Sequence, residues 1–211
     1  MIKILFICHG NICRSPMAEF VMKDLVQKAG LASQFHIGSA ATSREELGNP
    51  VYPPARRKLA EHGIPCGGHA ARQLTAQDYD AYDLLIGMDQ ANLRNMRRIC
   101  GGDPDGKLHL LLAYTAHPGS VADPWYTGDF EAAWQDVLAG CRGLLAELTG
   151  TKKSDRLRRS LFFAYFTVPR WAWRLMAWKD SSLITCSSLQ ASSAATSGDT
   201  PRRMRYCVSS V

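Results

Sequence analysis

The octet Cys8-His9-Gly10-Asn11-Ile12-Cys13-Arg14-Ser15 decides the fold through what stands on either side of it. Before it, residues 2–7 (Ile-Lys-Ile-Leu-Phe-Ile) form a nearly unbroken apolar run, as expected of a parallel strand covered on both faces. After it, Pro16 opens a helical pattern of Met17, Phe20, Val21, Leu25 and Val26, with Gly30 as a stop. Strand, tight loop and helix in this order turn backbone N–H groups and the positive end of a helix toward one point, where phosphate is the natural guest. Arg14 adds a planar fork of donors for two phosphate oxygens. Together with the helix end it favours the thiolate form of Cys8, which makes Cys8 a candidate nucleophile toward phosphorus. Gly10 is expected to let the chain turn where a Cβ would intrude. Ser15 is suited to cap the helix and to offer its hydroxyl to the sulfur.

Two plainer readings compete: a pair of buried cysteines in an ordinary strand-to-helix turn, and a redox or metal role for Cys8 and Cys13. Four intervening residues do not match the C-x2-C of zinc or thioredoxin-like sites, and no second Cys/His pair at ligand spacing follows. No metal and no cofactor is implied.

Outward from the octet, strands alternate with helices. Residues 35–40 read as a second strand, 43–54 as a surface loop and 55–62 as a short helix ending at Gly63. Thr75 with Asp78 resembles a capping box, 84–88 a third strand, and Asp89 the cap of a helix over 90–100 that ends at Gly101 and Gly102. Residues 107–112 read as a fourth strand and 113–128 as a loop. From Phe130 to Leu148 apolar residues recur on one helical face, with Asp129 as its cap and Gly150 closing the domain. The expected fold is α/β: a single three-layer domain, a four-stranded parallel sheet flanked by helices, with the phosphate-binding loop after the first strand. Cys8 then stands beyond the carboxyl end of a strand, where such sheets hold ligands.

With the octet placed between strand and helix, and Asp123-Pro124 before the last helix, the chain resembles the low-molecular-weight protein tyrosine phosphatases over roughly residues 1–149. The resemblance implies a phosphotyrosyl protein or small aryl phosphate as substrate. It makes Cys8 the nucleophile, Arg14 the phosphate clamp and Asp123 the general acid. It also implies a hydrogen-bonded loop support of Asn11, Ser15, Ser39 and His69, and an aromatic substrate wall of Trp125 and Tyr126. A tyrosyl leaving group has a pKa of about 10, so its expulsion benefits from a positioned acid. Pro124 biases Asp123 toward extended geometry. The alternative for Trp125 and Tyr126 is packing against the last helix.

Departures from the family pattern bear on substrate. Glu45 stands where many relatives carry an aromatic, with Tyr52 as a candidate replacement wall. Ile12 stands where relatives that hydrolyse phosphoarginine have threonine, which favours phosphotyrosine. Arsenate reductases of the same fold need two neighbouring redox cysteines downstream, whereas Cys66 and Cys100 are 34 residues apart. A phosphate-binding or thiol-redox sensor without turnover is the alternative outside enzymes, and it would have no need of Asp123. Cys13 either fills space behind the loop or captures an oxidised Cys8 as a disulfide. His9 reads as a modulator of loop charge.

Charge separates the chain in two. Residues 1–150 hold 14 Lys+Arg and 16 Asp+Glu, and residues 151–211 hold 11 and 3, so the basic balance belongs to the tail and gives no reason to expect nucleic acid as a partner. Seven scattered cysteines do not look like a disulfide framework, and the apolar run before the loop is too short for a signal peptide, so a reducing cytoplasm is expected. The domain boundary is expected at 150. The tail over 151–211 is basic, aromatic and Ser-rich, and is expected to be largely irregular, disordered or loosely helical. Its Trp and Arg residues make contact with a membrane surface the minor alternative. Oligomeric state has no signature in the sequence.

Overall fold

The structure, a computed structural model, describes residues 1–150; the readings made for the tail lie outside the described residues. The first strand, β1 (Ile2–Cys8), sends Ile4, Phe6 and Cys8 into one core and Leu5 and Ile7 into another. Being apolar on both faces is what this position demands. Its neighbours are β2 (Phe35–Ala41) on one side and β3 (Leu84–Gly87) on the other, with β4 (Leu108–Leu110) beyond β3. All three pairings are parallel, with Ile4 level with Ile37 and Leu84. Helices α1 (Arg14–Lys28), α2 (Pro53–Glu61) and α6 (Phe130–Leu148) cover one face, and α3 (Ala76–Ala81) and α4 (Gln90–Cys100) the other. The expected three-layer α/β domain is the one observed.

The order β2-β1-β3-β4 reverses direction between β1 and β3, so a crevice opens beyond their carboxyl ends. Cys8 ends β1, and Asp89 follows β3 as the cap of α4, its Oδ1 accepting from Asn92 N–H at 2.7 Å. Gly101, at φ 77°, closes that helix in the left-handed conformation glycine adopts freely. The Thr75–Asp78 capping box and the Asp129 cap are both formed.

The structure departs from expectation in three elements. Helix α1 begins at Arg14, two residues before Pro16, with Cys13 as a cap that makes no side-chain hydrogen bond. Ser15 is therefore not the cap; it lies inside the first turn, and its hydroxyl serves the loop instead. Strand β4 stops at Leu110, and residues 111–114 wind as a 3-10 turn pressed against α6. The approach is so close that a Cβ at Gly140 would lie 2.4 Å from Leu111 Cγ, and one at Gly143 only 2.2 Å from the Tyr114 carbonyl oxygen. Within the expected loop over 113–128, Pro124–Thr127 forms a short helix, α5. Among the described residues no helix is long and apolar enough to cross a membrane.

Candidate active site

Asn11 organises the loop. It is fully buried and has φ 58°, a left-handed conformation that Asn tolerates better than most residues. The special backbone position is thus Asn11 and not Gly10, where a Cβ would only crowd Glu46 Cγ at 3.1 Å. Asn11 N–H donates to Cys8 Sγ at 3.3 Å, and its Nδ2 donates to Ser15 Oγ at 2.9 Å and Ser39 Oγ at 2.8 Å. Its Oδ1 accepts from the Arg72 N–H at 3.2 Å. Its carbonyl accepts from His69 Nε2 at 2.8 Å, which places a proton on that nitrogen. Every polar group of a buried residue is satisfied, as low dielectric requires. Ser15 Oγ in turn lies 3.0 Å from Cys8 Sγ. The four residues named for loop support therefore meet around Asn11.

Arg14 emerges from the first turn of α1 almost wholly buried. Its Nη1 donates to Asp89 Oδ2 at 2.7 Å and its Nη2 to Asp123 Oδ2 at 2.6 Å. Asp123 is held from both sides. The Val121 N–H donates to the Met88 carbonyl at 2.8 Å, the Ala122 N–H donates to Asp136 Oδ2 of α6 at 2.9 Å, and Asp123 Oδ1 accepts from the Trp125 N–H at 3.1 Å. Its ψ of 103° is the extended value that Pro124 imposes. Cys8, Arg14 and Asp123 line one cleft, together with Trp125, Tyr126 and Glu45.

Both aromatics are turned outward, Trp125 57% and Tyr126 86% exposed, so packing against α6 is not their role. Tyr52 does not line the cleft. Its ring sits 5.5 Å from that of Trp125 and 6.1 Å from that of Phe130, so it packs behind Trp125 instead of forming a second face of the cleft. Burial, with Cys8 adjacent, pushes the Cys13 thiol up to about 12, and Cys8 and Cys13 are both free thiols.

A family model for low molecular weight phosphotyrosine protein phosphatase matches residues 3–154. The chain belongs to that family. It is 39% identical over 155 residues to the low molecular weight protein-tyrosine-phosphatase YfkJ of Bacillus subtilis, covering 72% of this chain and 99% of the relative. The crystal structure of YfkJ superposes with a TM-score of 0.70 over 72% of this chain and 97% of that one. The human low molecular weight phosphotyrosine protein phosphatase is 37% identical over 147 residues, 67% of this chain and 92% of the relative. The structure of a Drosophila arginine phosphatase is also similar, with 30% identity and a TM-score of 0.65 over 70% of this chain and 98% of that one.

In this phosphatase the groups that act through other residues are weakly marked in the sequence. Asp89 is legible as a helix cap, and its second oxygen, which takes Arg14, is not. Its signal was its place at the end of β3, beside β1. Glu19 is buried and accepts from Ser39 Oγ and Lys23 Nζ, with His69 Nδ1 3.9 Å away. It follows Ser15 by one helical turn, the one hint that it shares Ser15's face. Asp136 and the Arg72 backbone had no local signal. Cys66 packs against the core on one side of the sheet and Cys100 against the core on the other, so they do not form a neighbouring redox pair.

Proposed function

We propose that the chain hydrolyses phosphotyrosine through a phosphocysteine intermediate, with Cys8 as nucleophile, Arg14 as phosphate clamp and Asp123 as general acid and base. The observation that carries this is the meeting of Cys8, Arg14 and Asp123 in one cleft, with Arg14 and Asp123 in direct hydrogen bond. The loop N–H groups and the two Nη of Arg14 take the phosphoryl oxygens. Cys8 Sγ attacks phosphorus in line, the P–O bond to the phenol breaks, and Asp123, which takes up a proton from solvent when the phosphoryl group displaces it from Arg14, gives that proton to the departing oxygen. Asp123, now a carboxylate, takes a proton from water as that water attacks phosphorus. The S–P bond breaks, and phosphate leaves with the thiolate restored. Trp125 and Tyr126 give the substrate ring an apolar surface. Cys13, buried and held neutral, fills space behind the loop; capture of an oxidised Cys8 would need its thiolate.

Support for phosphotyrosine over phosphoarginine comes from Ile12, which puts an apolar side chain where a hydroxyl would serve the other leaving group. Asp123 argues against a sensor without turnover, since phosphate binding alone needs no acid. The reading assigns the activity to residues 1–150 and, because Cys8 must stay reduced, to a reducing compartment such as the cytoplasm. The deciding experiment compares turnover of phosphotyrosyl, phosphoseryl and phosphoarginyl peptides with a chelator present. Hydrolysis of the first alone is expected. Faster hydrolysis of phosphoarginine, or loss of turnover in the chelator, would overturn the assignment.

A further inference from the structure

The rim of the cleft is acidic in a way the reaction does not use. Glu45 and Glu46 stand in the loop between β2 and α2, and both line the cleft that holds Cys8 and Asp123. Glu45 Oε2 lies 3.0 Å from His9 Nε2, with side-chain exposures of 71% and 57%. Glu46 is fixed more firmly, with Oε2 accepting from Asn49 Nδ2 at 2.6 Å and its Cγ over Gly10. Once a phosphate dianion has engaged Arg14, two carboxylates remain on this rim against at most one imidazolium.

The same cleft presents the exposed rings of Trp125 and Tyr126. A Lys or Arg side chain can lay its methylene stem or guanidinium on such rings while its charge faces a carboxylate. An Asp or Glu in the same place would meet like charge.

We propose that Glu45, backed by Glu46, is a specificity-determining residue that selects phosphotyrosyl peptides carrying Lys or Arg next to the phosphotyrosine and disfavours those with acidic flanks. This rests on the phosphatase reading. Rim charges act mainly on encounter and its salt dependence, and an exposed pair is a small effect, so the selectivity is moderate.

The test is kcat/KM at pH 7.5 and low salt for phosphotyrosyl peptides of one length with Lys/Arg or Glu/Asp beside the phosphotyrosine. A basic-over-acidic ratio of roughly two- to fivefold is expected, from exposed pairs of this kind. It should shrink in high salt, shrink in Glu45→Gln and invert in Glu45→Lys. Because Glu45 is exposed, both variants are expected to fold, which a thermal melt checks. Equal rates for the two peptides in the wild type, an acidic preference, or a ratio untouched by Glu45→Lys would overturn the proposal. The small substrate p-nitrophenyl phosphate, assayed alongside, separates this from failure of the phosphatase reading. Were it not hydrolysed either, that reading would fall, and peptide Kd on Cys8→Ser would still decide the rim's selectivity in the same terms.

Discussion

Arg14 Nη2 donates to Asp123 Oδ2 at 2.6 Å, so the group assigned to bind phosphate and the group assigned to move the proton hold each other. A phosphate dianion reaching Arg14 competes with the Asp123 carboxylate for the same guanidinium. Asp123→Asn removes the competing charge and the transferable proton together. Inorganic phosphate should therefore inhibit this variant more strongly than the wild type, while turnover of phenyl phosphate falls by about 10²- to 10⁴-fold. The loss should shrink for leaving groups that are already stable anions. Weaker phosphate inhibition, or an equal loss along a leaving-group series, would point to a structural role for Asp123.

Cys8→Ser should abolish turnover and keep vanadate binding, because Arg14 and the loop N–H groups remain. Arg14→Lys should be nearly as damaging to kcat/KM. A single ammonium cannot donate to Asp89 and Asp123 as the two Nη atoms do, nor to two phosphate oxygens in one plane. Near-normal activity of Arg14→Lys would remove the clamp assignment.

Asn11→Ala takes away the amide donor that Ser15 and Ser39 accept from, leaving those hydroxyls to Cys8 and Glu19, strips the Arg72 N–H of its acceptor, and puts an alanine at φ 58°. Unmade buried hydrogen bonds together with the left-handed strain amount to about 3 kcal/mol. Urea unfolding should show this loss. Activity should fall further than the unfolded fraction explains, since the N–H groups around Cys8 are no longer aligned. A variant with wild-type stability would contradict the central place given to Asn11.

Arg72 is fixed by two hydrogen bonds to Asp78, each 3.0 Å, and its own N–H braces Asn11. Burial alone would raise the Asp78 carboxyl, but Arg72 and the Thr75 cap hold it below its ordinary 3.8. A depressed folded value means that the unfolded chain binds the proton first. The contribution to stability is therefore complete above 3.8 and is lost as pH falls through the lower folded value. Melting temperature should drop on that acid side, and less steeply in Asp78→Asn, which starts lower at neutral pH. Identical acid slopes for the two proteins would show that Asp78 is not the group responsible.

The activity is assigned to residues 1–150, so a chain ending at residue 151 should match the full chain in kcat/KM on a small aryl phosphate and in melting temperature. Every residue given a chemical role lies between Cys8 and Asp136. A much lower melt or a large loss of activity would move the boundary outward.

How far the sequence reaches is visible residue by residue. Strand β1 was legible because a parallel strand covered on both faces must be apolar throughout, and α4 because Asp89 and Gly101 mark its two ends with chemistry of their own. Helix α1 starts earlier than Pro16 predicts: Pro16 is a good first-turn residue, yet the loop's closure around Asn11 carries the helix back to Arg14. Strand β4 is shorter than its apolar run predicts, because nothing local to Leu111 announces that Gly140 and Gly143, some thirty residues on, bring α6 against it.

For the site, the sequence alone determined the loop between strand and helix and singled out the candidates for nucleophile and clamp, because these are residue types constrained by neighbours a few positions away. The tertiary structure decided what spans the sheet. Asp89 and Asp123, 75 and 109 residues from Arg14, converge on its two Nη atoms only because β1 and β3 are adjacent and Val121 is tied to Met88. Glu19, Arg72 and Asp136 act through hydrogen bonds whose partners are distant in the chain. The left-handed turn fell to Asn11 instead of Gly10 for the same reason, since the bonds that hold it come from β2, from α1 and from the loop over 66–73. A pattern of residues reports local propensity and periodicity. Which carboxylate meets which guanidinium depends on strand order, and strand order is settled by the packing of the whole domain.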